Sequence, residues 1–359
     1  MRFPEFTGEW KLNILDSVCT FHNGRAYKQH ELLSAGKYRV LRVGNFFTND
    51  SWYYSDLELE EDKTASDGEL LYAWSASFGP RFWKGEKVIY HYHIWKIDSF
   101  QEVCKEFLFY FLEKDAASIK NEVQGGTMAH ITKADMERRN ITYPTICEQS
   151  KIARLLFLLD HRIATQNKII EDLKKLKSAI SERLFKSVKG STVLLSDLCD
   201  IVKGKQINGE NLSDSGNYYV MNGGTEPSGY YDNYNVEAST ISISEGGNSC
   251  GYVQFNTSPF WSGGHCYSIQ NIADKVDNMY LYHYLKSNED AIMKLRIGSG
   301  LPNIQKKDLA MFKIIVPKIE WQIKISTFLS SLERKAEIEE RIQNVMQKQK
   351  LYLLQQMFI

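Results

Sequence analysis

Basic, carboxamide and aromatic side chains recur together in the glycine-containing loops of this chain, a mixture suited to reading the edges of nucleic-acid bases. Arg and Lys donate to guanine and phosphate, Asn and Gln match adenine, and aromatic or small apolar groups meet the thymine methyl. His22-Asn-Gly-Arg-Ala-Tyr-Lys28 supplies Asn23, Arg25, Tyr27 and Lys28, and Arg42-Val-Gly-Asn45 supplies Arg42 and Asn45. Later in the chain Lys203-Gly-Lys-Gln-Ile-Asn208 supplies Lys203, Lys205, Gln206 and Asn208, and Asn222-Gly-Gly-Thr225 supplies Asn222 and Thr225. A third pair sets Arg81-Phe-Trp-Lys84, with Arg81 and Lys84, against Glu245-Gly-Gly-Asn248-Ser, with Asn248 as its approximate counterpart. Glu226 and Glu245 would accept from cytosine N4 or restrain non-specific attachment to phosphate. Taken singly, each of these loops is equally an ordinary solvated turn, and Trp83 equally suits a core. Their occurrence in matched pairs raises them above chance.

Other chemistries find little support. Adenine methylation typically uses an Asn/Asp-Pro-Pro-Tyr/Phe tetrapeptide, and none occurs; nor does a Gly-x-x-x-x-Gly-Lys-Ser/Thr phosphate loop. The glycine clusters at Asn222-Gly-Gly and Glu245-Gly-Gly open no helix and read as hairpin turns. His91-Tyr-His93 would set two rings on one strand face, as a metal site wants, and His22 is a third candidate, but a packed or solvent-facing role suits them better. We expect no metal and no catalytic residue. Six cysteines without a Cys-x-x-Cys pair read as free, mostly buried thiols. Lys plus Arg equals Asp plus Glu at 44 each, so any DNA affinity must come from local patches or a partner.

The elements that position these loops follow from an internal repeat. Gly125 to Phe185 aligns without a gap on Gly298 to Phe358: Ile131, Lys133, Asp135, Ile141, Pro144, Ile146, Gln149, Lys151 and Ile152 fall on Ile304, Lys306, Asp308, Ile314, Pro317, Ile319, Gln322, Lys324 and Ile325. A tandem duplication implies two similar units, and 359 residues suffice for two cores. The first two-thirds of each repeat reads as β-rich, with Tyr218-Tyr-Val-Met221 and Ser239–Ser244 as strands. Each repeat ends in a long helix after Pro144 or Pro317. One carries a heptad seam at Ile152, Leu156, Leu159, Ile163, Ile170, Leu173, Ile180 and Leu184, broken at Gln166 and Lys177. The second keeps its register at Ile325, Leu329, Leu332, Ala336, Met346, Leu353 and Met357. Helices of about 38 residues span roughly 57 Å, a length suited to spacing, and the two seams complement each other. Ile169, Leu176, Ile338, Ile342 and Tyr352 lie off the seam and are candidates for contact with a partner. The basic run Lys174, Lys175, Lys177, Arg183 and Lys186 reads as a solvated face or a phosphate contact. The fold class is therefore α+β, divided as 1–146, a central helix 147–187, 188–320, and a C-terminal helix 321–359. No stretch is long and apolar enough to cross a membrane and the N-terminus lacks a signal pattern, so a cytoplasmic protein is expected.

The opening Arg2-Phe-Pro-Glu-Phe-Thr-Gly-Glu-Trp10, the run Gly298-Ser-Gly-Leu-Pro-Asn-Ile-Gln-Lys-Lys-Asp-Leu309 with the following Ile-Ile-Val-Pro317, and the alternation of domain and helix resemble the specificity subunit of a type I DNA restriction-modification system. The first copy departs locally, with Gly126-Thr-Met-Ala-His-Ile131 where the second has Gly300-Leu-Pro-Asn-Ile304, which puts the loop around Met128 in question. The resemblance implies two target recognition domains, each reading half of an interrupted DNA site. It also implies an antiparallel coiled coil of the two helices that sets the unread spacer, giving pseudo-two-fold symmetry. It further implies two modification subunits that bind S-adenosylmethionine and methylate adenine, joined by motor-nuclease restriction subunits, with no cofactor on this chain. A coiled-coil scaffold with two protein-binding domains, or an enzyme with an unrecognised site, are the readings it competes with.

Overall fold

The computed structural model describes residues 2–47, 49–75, 78–122, 131–298, 300 and 302–358, without the side chains of 120–122. The questioned loop around Met128 lies outside them. The chain divides into two compact units, one of Met1–Gln166 with Ile342–Ile359 and one of Asn167–Arg341.

The first unit contains strands β1 (Lys11–Ile14), β2 (Thr20–Asn23), β3 (Tyr38–Leu41), β4 (Tyr53–Ser55), β5 (Thr64–Ala65), β6 (Leu70–Ala73), β7 (Gly79–Phe82), β8 (Val88–Tyr90), β9 (Ile94–Asp98) and β10 (Asn140–Tyr143). Its helices are α1 (Val43–Phe47), α2 (Lys105–Glu122), α3 (Lys133–Glu137) and the first part of α4 (Ile146–Ser187). An antiparallel sheet runs β2-β9-β6-β7, a second runs β4-β3-β8-β5 with β3 and β8 parallel, and β1 pairs with β10. The second unit repeats this plan with β11 (Ser191–Leu194), β12 (Asp200–Lys203), β13 (Tyr218–Met221), β14 (Tyr230–Tyr231), β15 (Thr240–Ser244), β16 (Val253–Asn256), β17 (Trp261–Ser262), β18 (Cys266–Gln270) and β19 (Lys313–Val316). The sheet β12-β18-β15-β16 answers β2-β9-β6-β7, β13 and β17 form the parallel pair, and β11 meets β19. Helices α5 (Asn278–Ser287), α6 (Glu289–Met293), α7 (Lys306–Ala310) and α8 (Ile319–Met357) complete the chain.

Strand β15 shows why the sheet forms. Ile241 and Ile243 alternate with Ser242 and Ser244, so period two sends the apolar pair into one core while the hydroxyls face the other side. Buried hydroxyls need partners: Ser242 Oγ accepts from Asn256 Nδ2 at 2.9 Å and Ser244 Oγ donates to the Gly223 carbonyl at 2.7 Å. The strand expectations for 218–221 and 239–244 are met within a residue. The glycine clusters need a finer description. Glu245-Gly-Gly lies in the β15–β16 hairpin connection, whereas Asn222-Gly-Gly opens a longer loop from β13 to β14 rather than a tight turn.

The helix seams close each unit. In the second, Lys177 meets Glu333 at 2.6 Å and Lys174 meets Glu340 at 2.5 Å, so α4 and α8 run antiparallel there. In the first, Lys350 lies 2.7 Å from Asp160 and 2.8 Å from Glu113. Phe358 packs on Phe107 with centroids 5.0 Å apart and also on Phe111; Phe185, its repeat equivalent, packs on Tyr280 and Tyr284. The start of each helix is tied by a buried glutamine. Gln149 Nε2 donates to the carbonyls of Glu102 and Pro144 while its Oε1 accepts from Cys104 N; Gln322 bonds Lys275, Pro317 and Asp277 in the same way. All six cysteines are free, four of them buried, and burial pushes the Cys19 and Cys199 thiols up to about 12.

Candidate nucleic-acid interface

The candidate loops follow β2 and β3 in the first unit and β12, β13 and β15 in the second. The backbone there is the same twice. Gly24 N donates to the Ile94 carbonyl and Gly204 N to that of Cys266; Arg25 N donates to Tyr90 and Lys205 N to Ser262; Trp74 N donates to His93 and Glu245 N to His265. Register therefore equates Asn23 with Lys203, Arg25 with Lys205, Arg42 with Asn222, Trp74 with Glu245 and His93 with His265. Both turns require glycine, since a Cβ would lie 2.3 Å from the His91 carbonyl oxygen at Gly24 and 2.1 Å from that of Gly263 at Gly204.

The first tip is aromatic and basic. Arg25 makes a two-point ion pair with Glu31, at 2.7 and 3.2 Å, and stands over the Tyr27 ring; this ring stacks on His91, and burial pushes its phenol up. Arg42 stands over Tyr53 at 4.3 Å, its buried Nε without a hydrogen-bond partner. Asn23 accepts from Trp95 Nε1 at 2.8 Å, and Asn45 bonds its own loop at Asn49 and Ser51. Lys28 is exposed. Trp74 stacks on Trp95 and meets His93 edge-on at 5.0 Å. His91 and His93 lie 4.9 Å apart in the turn before β9, which corrects the expectation that they share a strand face: the chain reverses there between β8 and β9. Burial, with His93 and Arg42 close by, holds the His91 imidazole down to about 4, so this ring is neutral at pH 7. Among the described residues no cluster of three or more His, Cys, Asp or Glu could hold a metal ion.

The second tip is polar. Lys203 Nζ bonds Glu245 Oε1 at 2.6 Å; the side chains of Lys205, Gln206, Asn208, Thr225 and Asn248 are exposed. Asn222 Oδ1 accepts from His265 N at 3.1 Å, which joins the β13–β14 loop to the turn before β18. Lys203 and Glu245 are in direct contact, and Asn222 reaches the same turn through His265.

Arg81 and Lys84 share a groove with Asn45. Arg81 lies within β7, with its guanidinium 4.8 Å over the Phe47 ring, and this groove of about 1130 Å³ is also lined by Phe82, Phe109 and Phe157. The pairing of Arg81–Lys84 with Glu245–Ser249 is corrected by strand register. Register places Arg81 opposite Leu71 as Gln254 lies opposite Ser242, so the counterpart of Arg81 is Gln254, and that of Glu245 is Trp74. Sequence distance misled because the β6–β7 loop is shorter than the β15–β16 loop. Trp83 is half-buried against the cluster of Leu41, Leu71 and Tyr90, and its Nε1 bonds the Glu86 carbonyl.

A family model for the type I restriction modification DNA specificity domain matches residues 7–175 and again 189–348. A Mycoplasma genitalium relative described as a type I specificity subunit is 34% identical over 122 residues, and the match spans 33% of this chain and 31% of that protein. The specificity subunit of a type I restriction enzyme of Methanocaldococcus jannaschii is 24% identical over 326 residues, or 79% of this chain and 77% of the relative. The crystal structure of a type I restriction-modification S subunit from M. genitalium superposes with a TM-score of 0.69 at 18% identity, covering 100% of this chain and 99% of that one. A structure concerned with assembly and conformational transition of the type I system gives 0.61 at 15% identity, with 99% and 98% covered. At these identities the solved structures speak for the fold.

Proposed function

Since the chain belongs to the type I restriction-modification DNA specificity family, we propose that each of its units presents its sheet tip to one half of an interrupted DNA sequence. One observation carries the reading: matching strand register and backbone hydrogen bonds bring loops to the same strand ends in both units, and the side chains there differ in chemistry. Shared geometry with different base-facing groups is what two readers of unlike half-sites require. Arg25, Tyr27, Lys28 and Arg42 serve the first half, with Asn23 and Asn45 holding their loops. Lys203, Lys205, Gln206, Asn208, Asn222, Thr225 and Asn248 serve the second. Arg81 and Lys84, which share a groove with Asn45, are assigned to phosphate.

In this reading the chain carries no catalytic residue and no cofactor. Two modification subunits bring S-adenosylmethionine and methylate adenine, and motor-nuclease subunits join them. Ile169, Leu176, Ile338, Ile342 and Tyr352 offer them apolar contact, being 39% to 52% exposed on the long helices. The test is to co-express the chain with its modification subunit and map methylated adenines across a host genome. We expect a bipartite motif with a fixed unread gap that vanishes when this chain is omitted. Exchanging residues 1–146 for those of a relative should replace one half of the motif only. An unchanged methylome beside an active partner would leave a protein-binding scaffold as the better reading.

A further inference from the structure

Glu245 is a charged group buried at a rim. It is 8% exposed, although it stands where β15 leaves the sheet. Its Oε1 accepts from Lys203 Nζ at 2.6 Å and from the Tyr267 hydroxyl at 3.1 Å. Its Oε2 is buried without a hydrogen-bond partner, with His265 Nδ1 at 3.9 Å. The main chain clamps it from both sides: Glu245 N donates to the His265 carbonyl at 2.9 Å, and the Glu245 carbonyl accepts from Ile304 N at 2.8 Å. A carboxylate oxygen short of a donor is costly. The carboxylate therefore sits where the backbone holds it rather than where solvation would put it.

The consequence falls on Lys203. Its ammonium is gripped from below, while 55% of its side chain is open to solvent. An ammonium has three N–H donors, and one is spent on Glu245. The ion pair as a whole carries no net charge to offer phosphate, whose attraction is monopolar and blind to sequence. The directional donors remain, and in the major groove their partners are guanine O6 and N7.

Resting on the DNA-reading role above, we propose that Lys203 reads a guanine in the half-site of the second unit, with Glu245 as its positioning residue. Glu245 holds the ammonium at the rim and cancels its charge, so that base identity rather than phosphate governs the contact. The equivalent positions of the first unit hold Asn23 and Trp74, so the first half-site is read by other means.

The test uses the full chain assembled with its modification subunits. Duplex binding is followed by fluorescence anisotropy for the cognate site, for every single base-pair change in the second half, and for a scrambled second half. Lys203→Met should lose about tenfold of discrimination at one G·C position and leave the others intact. Glu245→Gln should lose discrimination at that same position yet bind the scrambled duplex several-fold more tightly. Its salt dependence should steepen by about one phosphate contact, since Lys203 then acts as a free charge. A purely structural glutamate predicts the opposite pattern, with every duplex weakened alike and base preferences unchanged, and that result overturns the proposal. So does loss at an A·T position in both variants. Failure of the wider reading is separately visible, as a wild-type complex that binds cognate and scrambled second halves equally.

Discussion

Gln149 and Gln322 are single residues that set where a helix can start. Each carboxamide is fully buried and bonds one N–H and two carbonyls on segments far apart in the chain. Truncation leaves those groups unpaired, at about 1–3 kcal/mol each. Gln149→Ala should therefore cost about 2 kcal/mol or more in a denaturant titration, and Gln149→Glu should cost more, because a carboxylate would face two carbonyl oxygens. An unchanged midpoint for both would mean that the contacts are dispensable. The repeat alignment marks these glutamines as a pair, but not what they hold, since hydrogen bonds to Cys104 and Asp277 leave no trace in local pattern. The tips show the same limit. Arg25, Lys205 and Asn222 were legible because their loops carry glycine and basic or amide residues together. Trp74 was not, because only strand register shows that it occupies the place of Glu245.

The long helices were the most legible elements, and their interruptions are the informative part. Gln166 and Lys177 break the apolar heptad, yet Gln166 is only 7% exposed and Lys177 reaches Glu333 at 2.6 Å. They belong to the seam. A polar residue at such a position sets register at some cost in stability. The off-seam residues behave differently: Leu176 and Ile338 are about half exposed. Replacing either with Asp removes an apolar contact of about 1.5–3 kcal/mol only where a partner covers it. Leu176→Asp should thus weaken assembly with the modification subunit tenfold or more in sedimentation experiments, while the melting temperature of the isolated chain stays within a degree or two. Full assembly by both variants would remove these residues from the partner surface. The short strands were harder to place than the helices, because two to five residues give little periodicity to read.

For the molecule as a whole, the two units are not consecutive stretches. The first is closed by residues 342–359, where Leu354, Met357 and Phe358 enter the core that contains Leu15, Phe107 and Leu156. Three buried side chains at about 1.5–3 kcal/mol each are comparable with the stability of an entire domain, about 5–15 kcal/mol. Ending the chain after Arg341 should therefore expose the first unit, hundreds of residues away in sequence, to limited proteolysis and leave β11–β19 protected. Cleavage confined to the second unit would contradict this arrangement. The duplication predicts two similar units but not this exchange of ends, because the apolar faces of a helix do not say which core they enter.

That closure also sets an order of events during synthesis. All of residues 167–341 must be made before the segment that seals the first unit can appear. At about 5–20 residues per second, the interval is roughly 10–35 s. Throughout it the aromatic surface around Phe107 and Phe111 lacks its cover. The nascent chain is thus a client for whatever shields apolar surface at the ribosome, and the part made first is the last to become native.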